Sequence, residues 1–165
     1  MAQPILFTGG TSGLGEVAFR KMALAGYQMI LLARNVERAQ DQFKDLQEKT
    51  DFEIVQADLS SFESLRKAIQ IIKEKYKQLD QLVLNAGLWN FSFKESRDGI
   101  EEILQVNLLA NILLIQELKD SMNKESRIII TSSALHQGKI NFEDLQFRSK
   151  YSGFKAYRQS KLGTI

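Results

Sequence analysis

Two stretches near the end of the chain place a lysine four residues after a tyrosine: Tyr151 with Lys155, and Tyr157 with Lys161. On a helix that interval puts both side chains on one face. A phenol titrates near ~10, so acid–base work near neutrality needs a shift of ~3 units, or ~4 kcal/mol. An ammonium ~4 Å away at an effective dielectric of ~20 supplies about that much. Either pair could pass a proton to or from an oxygen atom. Gly153 follows Tyr151 and is a poor residue for a helix interior, which favours the second pair. Ser132 and Ser133, just after an apolar run, offer hydroxyls to the same kind of oxygen.

The other chemistry-bearing stretch is PILFTGGTSGLG, Pro4 to Gly15. An apolar strand runs into a turn carrying Gly9, Gly10, Gly13 and Gly15, and then into an amphipathic segment. Backbone N–H groups and a positive helix terminus facing a diphosphate need a turn without bulky side chains, which glycine allows. Its spacing, Thr8-Gly9-x-x-x-Gly13-x-Gly15, differs from the G-x-G-x-x-G of most dinucleotide folds. About 20 residues on, where an acidic residue would hold the ribose 2′-OH of NAD, stand Ala33 and Arg34. Arg34 suits the 2′-phosphate of NADP instead. NADP is therefore expected ahead of NAD, against a plainer reading in which Arg34 and Arg38 belong to a solvated loop.

Composition excludes several classes. The 165 residues are 44% hydrophobic and 25% charged, ordinary values for a single globular domain. The 22 basic and 20 acidic residues are interleaved, so no nucleic-acid stripe is expected. There is no cysteine and one histidine, His136. No thiolate or His-based metal site can form, and redox chemistry has to come from a cofactor. The most apolar long segment, Ile103 to Ile115, is interrupted by Gln105, Asn107 and Asn111 and falls short of the ~20 residues of a membrane span. It reads as a buried helix. The first strand begins almost at the amino terminus, with no room for a signal peptide, and a cytoplasmic setting is expected.

The elements that must position these groups alternate. Branched apolar clusters at Ile5–Phe7, Met29–Leu32, Phe52–Val55, Leu82–Leu84 and Ile128–Ile130 are each followed by a helical pattern. Helices are expected near 13–25, 36–48, 61–77, 98–121 and 152–165. Gly26 is a candidate C-terminal cap, and Ser60 or Ser61 a candidate N-cap. This βαβα order implies an α/β fold, a doubly wound parallel sheet with helices on both faces.

The turn T-G-x-x-x-G-x-G resembles that of the short-chain dehydrogenase/reductase superfamily, and later motifs extend the likeness over nearly the whole chain. Ala57-Asp58-Leu59 is similar to the family's Asp-Leu/Val pair at the adenine. Leu84-Asn85-Ala86-Gly87 resembles its Asn-Asn-Ala-Gly, with leucine in place of the first asparagine. Asn107 matches the helix asparagine that supports a water in a proton relay. Tyr157-Arg158-Gln159-Ser160-Lys161 has the family's Y-x-x-S-K form. The stretch GKINFEDLQFRSKYSGFKAYRQSKL is similar to the retinol dehydrogenase-like branch.

The resemblance implies a Rossmann sheet of order 3-2-1-4-5 and catalytic Asn107, Ser133, Tyr157 and Lys161. It assigns the serine role to Ser133 rather than Ser132 and asks no base of His136. Thr8, Gly9, Thr11, Ser12, Gly13, Leu14 and Gly15 would cradle the cofactor. Arg34, Asp58, Leu59, Asn85, Ala86, Gly87, Tyr157 and Lys161 would complete its site. Some NADP-preferring relatives carry a basic residue inside the turn, where this chain has Ser12.

The implied reaction is hydride exchange between NADP and a small, lipophilic alcohol or carbonyl compound. Family members continue past the catalytic helix with further strands and a substrate loop, whereas this sequence stops at Ile165. The fifth strand is then expected to be an open edge, suited to self-association. The alternative reading is a nucleotide-binding or scaffold protein that keeps the fold without turnover.

Overall fold

A computed structural model describes residues 4–165. Among them, β1 (Ile5–Thr8), β2 (Met29–Ala33), β3 (Phe52–Gln56), β4 (Leu79–Leu84) and β5 (Met122–Ile130) form one sheet of order β3-β2-β1-β4-β5. Every pairing is parallel. The chain winds outward from β1 to β3 and then crosses back to β4. The order reverses between β1 and β4, and ligands of open α/β sheets sit beyond the carboxyl ends of the strands at such a point.

Alternation along the strands splits the core between the two faces. Leu6, Ile30, Leu32, Leu82 and Leu84 point to the side covered by α4 (Phe62–Lys75) and later helices. In α4 the buried Leu65, Ala68, Ile69 and Ile72 follow the helical repeat. Ile5, Phe7, Leu31 and Val83 point to the side of α1 (Gly13–Leu24), α2 (Val36–Gln42) and α3 (Lys44–Gln47). There Phe19 touches the rings of Phe7, Phe43 and Phe52 at 5.7, 5.1 and 5.3 Å.

Several boundaries depart from the sequence expectations. The helix expected over 36–48 breaks at Phe43, whose backbone leaves helical geometry as its ring packs against Phe19. Gly26 does close α1: at φ +88° it donates to the Ala23 carbonyl while Tyr27 donates to that of Met22. Ser61, not Ser60, caps α4 by accepting from the Ser64 amide. β5 begins at Met122, because Asn123 and Ser126 close a turn that shifts its register on β4.

The helix expected over 98–121 differs most. It starts at Glu102, because Gly99 is left-handed and the Ser96 hydroxyl accepts from the amides of Asp98 and Ile100. Glu101 caps it. Then α5 (Glu102–Leu104) gives way to a π-helical turn over Gln105–Leu109, followed by α6 (Ala110–Leu118) and a 3₁₀ turn. The last helix, α7, spans Gly153–Leu162. No helix among the described residues is long and apolar enough to cross a membrane.

Candidate active site

Thr8, Leu84 and Ile130 are paired across β1, β4 and β5, so Gly9, Asn85 and Thr131 leave the sheet at one level. Asn85 ties the three ends together. Its Nδ2 donates to the Gly9 carbonyl at 3.2 Å, and its Oδ1 accepts from the Thr131 hydroxyl at 3.1 Å. Thr8 is fully buried and its hydroxyl accepts from the Ala86 amide at 3.1 Å, so its part is to brace β1 against β4. A methyl on Gly9 would sit 2.6 Å from the Ala86 Cα, and one on Gly15 would strike the Gly9 carbonyl. The turn closes only because both lack a side chain.

Ser12 stands at the N-cap of α1, but its side chain caps nothing. The first-turn amides are thus open to an anion. Leu14 is exposed. Gly9, Thr11, Arg34, Asp58, Leu59 and Ala86 line one open cleft, and Thr11, Ser12, Arg34 and Arg38 line its continuation. The Asp58 carboxylate accepts from both the amide and the hydroxyl of Ser60, and Arg97 lies 4.0 Å away. Among the described residues, neither the Arg34 nor the Arg38 guanidinium has an acidic partner. The cleft therefore holds two guanidinium groups outside any ion pair, beside open amides and with Asp58 and Glu102 also on its wall.

At the other end of the crevice, Lys161 is buried on α7 and donates to the Thr131 carbonyl at 2.8 Å. Its Nζ lies 5.9 Å from the centre of the Tyr157 ring. Gly87 lets β4 pass close by, since a methyl there would be 3.2 Å from Lys161 Nζ and 3.5 Å from Asn107 Oδ1. The Asn107 side chain is fully engaged as a donor. Its Nδ2 donates to the Leu88 carbonyl and to Ser160 Oγ, both at 3.0 Å, and its Oδ1 accepts from the Leu88 amide at 2.8 Å. It fastens the segment that follows β4 to α7, and its removal would leave buried groups unpaired at about 1–3 kcal/mol each. Its position in the π-helical turn accords with the frequent use of such turns at functional sites.

The two serines differ. Ser132 donates to the Lys161 carbonyl at 3.0 Å and accepts from Thr164. Ser133 Oγ accepts from the Leu135 amide at 3.1 Å, leaving its own proton available, while its carbonyl pairs with the His136 ring. The two tyrosines differ as well. Tyr151 precedes α7, so Tyr151 and Lys155 do not share a helix face as their spacing suggested. Its hydroxyl donates to Glu101 Oε1 at 2.9 Å, and burial together with that carboxylate pushes the phenol well above its ordinary range.

Residues 3–163 match the family model of the short chain dehydrogenases. The chain belongs to the short-chain dehydrogenase/reductase family. It is 32% identical over 170 residues to human polyprenol dehydrogenase, covering 97% of this chain and 52% of that protein. It is also 32% identical to mouse retinol dehydrogenase 14, covering 98% and 53%. Among solved structures, the NADP active-site complex of RhlG from Pseudomonas aeruginosa superposes with a TM-score of 0.77 at 26% identity, over 99% of this chain and 64% of that one. The chain spans about half the length of the curated relatives it matches.

Within this family framework, sequence reasoning passed over Ser160, Thr131 and Trp89. Ser160 is fully buried between Asn107 and the Tyr157 carbonyl. The serine inside Y-x-x-S-K was its only signal. Thr131 supplies the carbonyl for Lys161, a main-chain role that no side-chain pattern announces.

Desolvation holds the Lys161 ammonium below its ordinary 10.5. The unfolded chain then binds more protons than the folded one between the lowered value and 10.5, so this group's contribution to stability rises with pH in that window. Urea midpoints of the wild type are expected to climb relative to those of Lys161→Met as pH approaches 10.5. Parallel curves would remove the desolvated ammonium.

Proposed function

We propose that this chain carries the cofactor cradle and catalytic groups of an NADP-dependent oxidoreductase that interconverts an alcohol and a carbonyl. The observation that carries this reading is the convergence of Tyr157, buried Lys161 and Asn107 at the carboxyl ends of β4 and β5, with the competing Tyr151 committed to Glu101. Tyr157 Oη would give its proton to the carbonyl oxygen in reduction, or take one from the alcohol in oxidation. Ser133, with its proton uncommitted, would donate to the same oxygen. Lys161 would favour negative charge on the phenolic oxygen. The Asn107 side chain would hold this assembly together, while its main-chain carbonyl accepts from Asn111 Nδ2.

The residues present suit a dinucleotide, given a turn that admits no Cβ at Gly9 or Gly15 and open amides at the start of α1. When bound, the nicotinamide cofactor supplies or takes up the hydride. Arg34, assisted by Arg38, would hold the 2′-phosphate, and Asp58 and Leu59 would flank the adenine. Retinol and polyprenol dehydrogenases among the relatives support a lipophilic substrate.

In calorimetric titration, NADPH is expected to bind at least tenfold more tightly than NADH. Arg34→Glu should reverse that order. Equal affinities before and after the substitution would remove Arg34 from the site and NADP from the reading.

A further inference from the structure

Aromatic rings meet in two different ways in this molecule. In the core Phe7 and Phe19, Phe19 and Phe52, and Phe43 and Phe52 pack edge to face, at 74°, 85° and 80°. Beside Tyr157 one pair is stacked and two are tilted. The Trp89 indole stacks on the Tyr157 ring at 4.6 Å and 15°, Phe154 lies 5.9 Å from it at 37°, and Phe91 lies 6.4 Å away at 34°. Offset stacks and edge-to-face contacts are both favoured between aromatic rings, so a ring with exposed surface can take a further ring.

One face of Trp89 is covered by Tyr157 and the Arg158 guanidinium lies 5.3 Å over Phe154, but the rings remain part-exposed. Trp89 is 39%, Phe154 45% and Phe91 94% exposed, a contiguous apolar patch of the kind that marks a binding site. The indole is also held in place before any ligand arrives. Its neighbour Leu88 is bonded through both amide and carbonyl to Asn107, while the Asn90 side chain donates to Glu102 at 2.7 Å. The Asn90 carbonyl lies so close to Gly153 that no side chain fits there.

We propose that Trp89 determines the substrate of this site, its indole with Phe91 and Phe154 forming a shelf for the ring of an aromatic ketone or aldehyde whose carbonyl reaches Tyr157. This rests on the reading of Tyr157 as the proton-transferring group. Flat neighbours select a flat ligand, because a ring gains stacking across its whole face where a puckered or chain-like group of equal size gains contact only at its edges.

Trp89 is the sole tryptophan and so reports on its own occupancy. The protein, mixed with excess NADP⁺ so that no ketone is reduced, would be titrated with 2-acetylnaphthalene and with its saturated counterpart of equal carbon count, 2-acetyldecalin, while indole emission is followed. NADPH binding would be measured separately by calorimetry. Saturable quenching by the naphthyl ketone, with affinity at least tenfold above that for the decalin ketone, supports the shelf. Trp89→Leu, followed by calorimetry, should bring the two within about twofold. Phe91→Ser, which alters a side chain too exposed to affect folding, should weaken the naphthyl ketone at least threefold.

Equal affinities in the wild type, or a preference that survives both substitutions, would overturn the proposal. So would a dimer in sedimentation that Phe91→Ser dissociates and neither ketone disturbs, since the patch would then belong to a second copy. A protein that binds NADPH but does not discriminate loses the shelf alone. One that discriminates without binding NADPH keeps the shelf and loses the dehydrogenase reading.

Discussion

In the proposed reaction, replacing Tyr157 by phenylalanine is expected to lower carbonyl reduction by about 10³-fold, within the range that a positioned acid–base group contributes. The substitution removes one oxygen and leaves the ring, so the stack on Trp89 and the contact with Lys161 remain. Calorimetry should therefore find NADPH affinity unchanged within about twofold, with the loss confined to turnover. Tyr151→Phe should behave in the opposite way. Its hydroxyl is donated to the buried Glu101, which also caps α5, so removing it leaves a carboxylate short of a partner. About 1–3 kcal/mol of stability should be lost while turnover is kept. Rates measured by NADPH oxidation, beside urea denaturation, separate the two. Retained turnover in Tyr157→Phe with loss in Tyr151→Phe would exchange their roles.

The second large effect is on stability. Phe19→Ala is expected to cost about 3–5 kcal/mol, because the ring is fully buried and meets three other aromatic rings, and the cavity left behind cannot collapse around a four-ring cluster. For a chain of this size that corresponds to a fall in Tm of roughly 10 °C. Phe91→Ala changes the same residue type in solvent and should stay within about 0.5 kcal/mol. A methyl added to Gly10 would lie 3.3 Å from the Phe19 Cβ, so Phe19 also packs beneath the glycine turn. The Phe19→Ala melt should then recover in part with NADPH at about 100 times its Kd, worth ~2.7 kcal/mol by mass action. Equal losses at Phe19 and Phe91 would mean that the aromatic cluster is not where the fold is held.

Much of the architecture was legible in local pattern. Five apolar clusters alternating with helical repeats led to the parallel sheet, since a buried strand and a half-buried helix each write their own periodicity, whereas its order came from the family resemblance. The glycine turn was legible too, because the residue type itself reports how closely two backbones approach. Helix interiors were less so. Nothing in the spacing of Gln105 to Leu109 separates a π-helical turn from an α-helix, and the difference lies in backbone bonds that rotate Asn107 toward Leu88 and Ser160.

By itself, the sequence determined which residue types were available and which local elements carry them: the T-G-x-x-x-G-x-G turn, the asparagine after β4, the paired serines and two tyrosine–lysine intervals. Tertiary structure alone decided how those candidates are used. It bonds Tyr151 to Glu101 across 50 residues, Asn107 to Ser160 across 53 and Asn85 to Gly9 across 76. It turns Ser132 toward α7 and, among the described residues, leaves the Arg34 guanidinium outside any ion pair. The physical reason is range. Helix and strand periodicity reflect neighbours a few positions away, whereas the state of a hydroxyl, an amide or a guanidinium is set by whichever group the fold brings within about 3 Å of it.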